Sequence, residues 1–301
     1  MSISIVTSTH NRAKSLARML ASVKLFADEI IVVDSASTDE TSAVAKKFTR
    51  KLYRRENNLM LNVNKNFGFL KATGDWILNL DDDEEIPPDL ARVIRSLVDT
   101  APSDVAGYWL PRKNIIFGKW IRTGLWWPDR QLRLFRRGAG RFPEKHVHEY
   151  LEVAGKTETV SEPFVHYNYD SVAQYLTKME SIYIESELKK YEASGYRVDW
   201  KDAIRFPLSD FVKIYFAESG YKDGLHGLVL SMLQAFYSFL IFVKLWERDH
   251  FSDIDLPLSG VTNEMRRAGG EVQYWIQTAH MKESVHPLRR LWYRIRRHYG
   301  K

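Results

Sequence analysis

The chain has 301 residues, 45% hydrophobic and 27% charged, enough apolar material for a sizeable core and a composition that argues against disorder. It has no cysteine, which excludes disulfides, thiolate nucleophiles and cysteine-based zinc sites. The net charge of +6 resides in residues 287–301, PLRRLWYRIRRHYGK, with six Lys and Arg and no acid; the remaining chain is neutral, which argues against nucleic-acid binding.

The opening MSISIVTSTHN lacks a basic segment followed by a long apolar run, so Ile3 to Ser8 reads as a strand and not as a secretory signal. With the missing cysteine, this fits an intracellular protein. Asn11 is placed to cap a helix carrying Leu16, Leu20 and Val23 at helical spacing. Glu29 to Asp34 (EIIVVD) is a β-branched strand, and Ser37 to Glu40 has the capping-box pattern ahead of Val44 and Phe48. A strand (Arg50 to Arg54), a helix (Asn62 to Ala72) and a strand (Gly74 to Leu80) follow. This alternation predicts a parallel sheet with helices on its faces.

From about Gly107, GYWLPRKNIIFGKW and RQLRLFRR read as antiparallel or irregular strands around the loop Gly124 to Asp129. Beyond Ser171 the chain turns helical, first in QYLTKMESIYIESELKKY and again over Phe206 to Trp246. Boundaries fall near residues 170 and 250.

In open α/β sheets, ligands bind at the carboxyl ends of the strands, where Asp34 and the run Asp81-Asp82-Asp83 lie. A run of acids repels itself unless a cation sits there, and Mg²⁺ or Mn²⁺ prefers carboxylate oxygens and bridges to phosphates. Asp81 and Asp83 form the DxD pair read as binding it. Glu84 and Glu85 read instead as a solvated turn before the helix starting near Pro87, and Asp39 as a helix-start residue.

In order, TSTHNR, VVDSASTDET, NVNKNFG and ATGDWILNLDDDEE resemble the nucleotide-sugar domain of family 2 glycosyltransferases, which have the GT-A fold. WWPDRQLRLFRRGAGRF, KHVHEYLEV and PFVHYNY resemble a bacterial subgroup of lipopolysaccharide-core β-glucosyltransferase-like enzymes, so the resemblance covers roughly residues 2–250. It departs at DSAS, where many members have two adjacent acids and only Asp34 remains. The implied fold is an α/β, mixed but mainly parallel sheet flanked by helices, with a helical C-terminal extension. Residues 1–170 would be the nucleotide-sugar-binding and catalytic domain, 171–250 a helical acceptor or membrane-association region, and 251–301 a basic amphipathic tail.

Carried over, the resemblance implies that Asp34 contacts the nucleotide base with Thr9 and Asn11 nearby, and that Lys65 and Asn66 line the donor site. Asp81 would contact ribose or metal, Asp82 the donor, and Asp83 the metal directly. Glu149 matches the family's catalytic acid residue and would take the acceptor's proton; Asp129 is the runner-up.

His146 and His148 in HVHE have a zinc-compatible spacing, but no third ligand cluster accompanies them. His166 reads as a polar-network residue or an extra metal ligand, and Trp126 and Trp127 as a sugar platform or loop anchors. Arg133, Arg136, Arg137 and Arg141 suit a diphosphate, an anionic acceptor or simply an exposed strand.

Leu225 to Val243 is 19 residues without formal charge, close to a membrane-spanning length, but Gly227, Ser231, Gln234 and Ser238 give it a small and polar stripe. It reads as an interfacial helix, a helix packed on the protein or on a second copy in a homo-oligomer, or a span. The arginines and apolar residues of the last segment suit an anionic membrane surface.

These readings combine into a metal-dependent, inverting glycosyltransferase, peripheral on the inner face of the cytoplasmic membrane. It would move a sugar from a nucleotide donor, a UDP-sugar in this reading, to a saccharide or lipid-linked acceptor in cell-envelope glycan synthesis. The alternatives are a polyprenyl-phosphate sugar transferase, a sugar nucleotidyltransferase (disfavoured by the lack of a basic glycine-rich loop) and a non-catalytic saccharide-binding protein.

Overall fold

The computed structural model describes residues 1–57, 61–144 and 149–299 and divides into two compact units, Met1–Ile116 with Trp127–Asn168, and Phe117–Trp126 with Tyr169–Lys301. The elements begin with β1 (Ile3–Thr9), α1 (Ala13–Val23), β2 (Glu29–Ser35), α2 (Thr41–Lys46), β3 (Lys51–Arg55), α3 (Leu61–Lys71) and β4 (Trp76–Asn79). Next come β5 (Glu84–Glu85), α4 (Pro88–Thr100), β6 (Val105–Ile116) and a two-residue β7 (Lys119–Trp120) that belongs to the second unit. The sheet-forming part ends with β8 (Asp129–Arg136), β9 (Gly140–Arg141), β10 (Glu152–Val153), β11 (Lys156–Thr159) and β12 (Phe164–Tyr169).

The main sheet runs β3-β2-β1-β4-β8-β6-β12-β5, with β11 beside β6. β1 to β4 are mutually parallel, whereas β8 is antiparallel to β4 and β6, and β5 to β12. The expected mixed, mainly parallel α/β architecture with C-terminal helices is therefore present. All seven residues of β1 are buried, because strands flank it on both edges and it carries core contacts on both faces. On one face Leu16, Met19, Leu20 and Val23 of α1 and Leu90, Ile94 and Val98 of α4 pack with Ile3, Ile5 and Trp76. Each such side chain contributes ~2 kcal/mol by leaving water. On the other face α3 comes so close that a Cβ on Gly68 would lie 2.5 Å from Val6 Cγ1, so glycine is needed there.

Two expected caps are not formed. Asn11 has φ +52° and makes no cap for α1, and α2 begins at Thr41 without the Ser37–Glu40 box. Asp39 Oδ1 instead accepts from Thr41 N at 2.9 Å.

The second unit is helical: α5 (Val172–Lys178), α6 (Glu185–Ala193), α7 (Asp202–Val212), α8 (Leu225–Arg248), α9 (Leu258–Glu283) and α10 (Pro287–Tyr299), with π-helical turns over Met179–Ile184 and Lys213–Ala217. Ser171 caps α5 by accepting from Gln174 N at 3.2 Å. Of the small-residue stripe on α8, Gly227, Ser231 and Ser238 are buried, and a Cβ on Gly227 would meet Gly220 O at 1.8 Å. The segment expected as a tail is two helices, α9 packing on α10.

Candidate active site

The β1–α1 and β2–α2 loops are tied together at the carboxyl ends of their strands. Asn11 Oδ1 accepts from Thr38 N at 2.8 Å, and Asn11 N donates to Ser37 Oγ at 2.9 Å. Asp34 is fully buried, accepting from Ser37 N at 2.9 Å and from Ser42 Oγ. Burial raises its carboxyl pKa, but those bonds and the charge of Arg54 outweigh it, leaving it below the usual carboxylate value. Asp34 and Asn11 thus fix the shape of these two loops.

The acidic run divides into three roles. Asp81 accepts from Arg133 Nη2 at 2.7 Å and pairs with Lys65 Nζ at 2.5 Å. Burial opposes ionisation, yet these two cations hold its carboxyl well below the ordinary range. Asp82 accepts from Thr9 Oγ1 at 2.6 Å; burial, with the charge of Asp83, raises its carboxyl to about 7. Asp83 lies beside His166, Oδ1 to Nε2 3.5 Å, because antiparallel pairing of β5 with β12 sets His166 opposite Glu84 and Tyr167 N donates to Asp83 O at 3.0 Å.

Glu84 is fully buried, not solvated as expected: its carboxylate accepts from Arg133 and from Asp81 N, the latter at 2.9 Å. Burial keeps its carboxyl above the ordinary value even so. Arg133 is spent inside this network. Arg136 donates to Val105 O at 2.8 Å, Arg137 to Gly74 O at 2.9 Å, and Arg141 lies 3.8 Å from Glu144, so the four arginines serve separate partners.

A cavity of about 230 Å³ is lined by Lys65, Asp81, Arg112, Arg133 and Glu149, among others. Glu149 Oε2 accepts from Glu144 N at 2.6 Å and from Asn62 Nδ2 at 3.4 Å. Asn66 is directed elsewhere: its amide donates to Phe142 O at 2.9 Å and Glu144 Oε1 at 2.6 Å, and accepts from Phe142 N at 3.0 Å. It ties α3 to Phe142 and to Glu144, whose N–H donates to Glu149, and so bears on the cavity indirectly.

Asp129 receives Arg112 Nε at 2.7 Å, Gln131 Nε2 at 2.7 Å and Asn114 Nδ2 at 3.1 Å. Burial opposes ionisation, but Arg112 and these bonds bring its carboxyl below the usual value, which suits orientation better than proton transfer. Asn114 Oδ1 in turn lies 2.7 Å from His166 Nδ1. Sequence reasoning passed over Asn114; an amide side chain inside a strand, directly before Ile115 and Ile116, was the available signal.

Asp83 and His166 suit a divalent cation: a carboxylate oxygen and an imidazole nitrogen, the two groups such an ion takes, lie 3.5 Å apart. Among the described residues no group of three or more His, Asp or Glu gathers as a complete ligand set, so water and a ligand's phosphates would supply the rest. The zinc spacing at His146 and His148 lies outside the described residues.

In the second unit, α10 exposes Leu288, Leu291, Trp292 and Ile295 among its arginines, and α8 exposes Leu225, Leu228, Val229, Met232, Phe236 and Phe239. By length and composition alone, α8 could cross a membrane. A larger hollow of about 640 Å³ along α9, lined by Arg266, Arg267, Glu271 and Tyr274 among others, has no comparable cluster of acids.

Residues 4–151 match the family model described as glycosyl transferase family 2. An uncharacterized glycosyltransferase of Rickettsia felis is 29% identical over 255 residues, 81% of this chain and 89% of that protein. The lipopolysaccharide core biosynthesis glycosyltransferase LpsC of Rhizobium meliloti is 26% identical over 228 residues, 73% of this chain and 83% of that protein. Among solved structures, S. aureus TarS 1–349 aligns over 100% of this chain and 89% of that chain, with 16% identity and a TM-score of 0.41.

Proposed function

Residues 4–151 are a glycosyl transferase family 2 domain, and from that premise we propose how the chain, a glycosyltransferase, works. It transfers a sugar from a nucleotide donor, in our reading a UDP-sugar, to a saccharide or lipid-linked acceptor of the cell envelope, with inversion. The similarity to a protein named for lipopolysaccharide core biosynthesis supports that acceptor class. The observation that carries the reading is the shared cavity: Glu149 opens on the same space as Lys65 and Asp81 at the acidic turn.

Asp83 and His166 would hold the Mg²⁺ or Mn²⁺. When bound, the cation neutralises charge developing on the departing diphosphate. Thr9 and Asp82 contact the donor, and Asp34 and Asn11 keep the base-receiving loops in place. Lys65 and Arg133 neutralise Asp81, so the turn does not repel the diphosphate with every carboxylate at once. Glu149 takes the acceptor hydroxyl's proton as its oxygen bonds to the anomeric carbon. The bond from that carbon to the diphosphate breaks, and its electron pair leaves with the nucleoside diphosphate.

In this reading residues 1–170 bind the donor and carry the chemistry, residues 171–250 serve the acceptor or membrane, and residues 251–301 attach the chain to the inner face of the membrane. The exposed Leu288, Leu291, Trp292 and Ile295 beside Arg289, Arg290, Arg294 and Arg296 support peripheral attachment. The same surfaces favour a lipid-linked acceptor, which makes a polyprenyl phosphate the second reading. Transfer from UDP-sugars to envelope saccharides and to polyprenyl phosphate, with wild type and Glu149→Gln, tests the choice. Saccharide transfer abolished by the substitution supports our reading; transfer to polyprenyl phosphate that survives it supports the rival.

A further inference from the structure

We propose that Asn114, anchored by Asp129, is a positioning residue that keeps the His166 imidazole proton on Nδ1 and turns the Nε2 lone pair toward Asp83. The proposal rests on the reading of Asp83 and His166 as cation ligands.

Asp129, held ionised by Arg112, can only accept hydrogen bonds. Asn114 lies 3.1 Å from it, so the group Asn114 presents there is its amide NH₂. That leaves the amide carbonyl, Oδ1, for His166 Nδ1 at 2.7 Å. A carbonyl oxygen cannot donate, so the proton of this bond belongs to Nδ1. Asn114 is fully buried and His166 nearly so, at 7% exposure, which keeps solvent from offering Nδ1 another partner. In the neutral imidazole, Nε2 then carries the lone pair, and it faces Asp83 Oδ1 across 3.5 Å. A cation bound at that place would accept both lone pairs.

Strand geometry builds this chain of contacts. Arg112 and Asp129 are directly opposed across β6 and β8. Asn114 is two residues beyond Arg112, on the same face of β6, and β12 with His166 is the neighbouring strand in the sheet. Partners of this kind fix a ligand's tautomer and ring orientation, and removing one weakens metal affinity by about 10–100-fold.

The first test is a long-range ¹H–¹⁵N spectrum of the imidazoles in EDTA, with the His166 signals identified by their loss in His166→Ala. We expect the Nδ1–H tautomer in the wild type and loss of that preference in Asn114→Leu. Mn²⁺ titration by calorimetry, on variants whose circular dichroism matches wild type, should show about 10–100-fold weaker binding in Asn114→Leu. A wild-type proton on Nε2 overturns the proposal, as does a folded Asn114→Leu with unchanged Mn²⁺ affinity. If the wild type binds no Mn²⁺, the ligand reading fails, while the tautomer of His166 still decides the claim about Asn114.

Discussion

Lys65 Nζ lies 2.5 Å from Asp81 Oδ1, on the opposite oxygen from the one that Arg133 engages, so the first carboxylate of the acidic turn is neutralised from both sides. Asp81 and Asp83, which look equivalent as a DxD pair, therefore differ in what they can do. Asp81 organises the turn, and Asp83 is the acid set beside an imidazole.

Removing Arg133 should cost stability. Arg133→Met leaves Glu84 fully buried without its guanidinium and Asp81 with Lys65 alone. Breaking a buried pair from one side costs about 3–5 kcal/mol. Urea denaturation followed by fluorescence should show a lower midpoint by that order, whereas a surface substitution such as Arg141→Met should change it little. Equal midpoints for the two variants would contradict the network.

Glu149→Gln keeps the size of the side chain and removes its basicity. We expect kcat to fall by about 10²- to 10⁴-fold with donor affinity unchanged. Asp129→Asn should instead weaken metal binding through Asn114. Steady-state kinetics with varied donor separate the two patterns, and a near-normal kcat in Glu149→Gln would remove it as the base.

Acid should reveal Glu29. This residue accepts from Thr73 N at 2.9 Å, from Thr73 Oγ1 at 2.8 Å and from Ser4 and Lys51. Burial opposes ionisation, but those partners lower its carboxyl from 4.5 to about 2. The folded pKa is depressed, so its stabilisation is complete above the unfolded value and is lost as pH falls through that window, by about 2 kcal/mol. Glu29→Gln should start less stable at neutral pH and lose less between these limits. Denaturation across that range measures it; parallel curves for wild type and variant would contradict the assignment.

The last helix should bind anionic vesicles. Arg289, Arg290, Arg294 and Arg296 surround exposed Leu291 and Trp292, and each arginine near such a surface is worth about 1 kcal/mol. Co-sedimentation with phosphatidylglycerol vesicles should fall with added salt, fall further in Arg289→Glu/Arg290→Glu, and be weak with phosphatidylcholine. Equal binding to both lipids would argue against an electrostatic attachment.

Much of the first unit was legible because its signals are local. Alternating β-branched strands and amphipathic helices gave β1 to β4 with their helices, and the acids at the end of β4 marked the turn. What escaped depends on contacts between distant segments. The burial of Glu84 needs Arg133 on β8, and the approach of His166 to Asp83 needs the β5–β12 register. Asn66 sits in a motif that resembles a donor-site segment, yet its amide is taken by a loop some 76 residues on. Asn11 and Ser37 had cap-like spacing, but cross-loop hydrogen bonds outcompeted the helix ends for their polar groups. Among the C-terminal helices, α9 has no side-chain cap at its start and falls within the expected tail.

The most direct test of the central claim is calorimetric binding of UDP, GDP, CDP and dTDP, each with Mn²⁺ and with EDTA, to wild type and Asp83→Ala. We predict that UDP binds in the presence of Mn²⁺, that EDTA abolishes the binding, and that folded Asp83→Ala fails to bind. If no nucleotide binds folded wild type under any condition, or if Asp83→Ala binds as wild type does, the acidic turn is not a metal-dependent donor site.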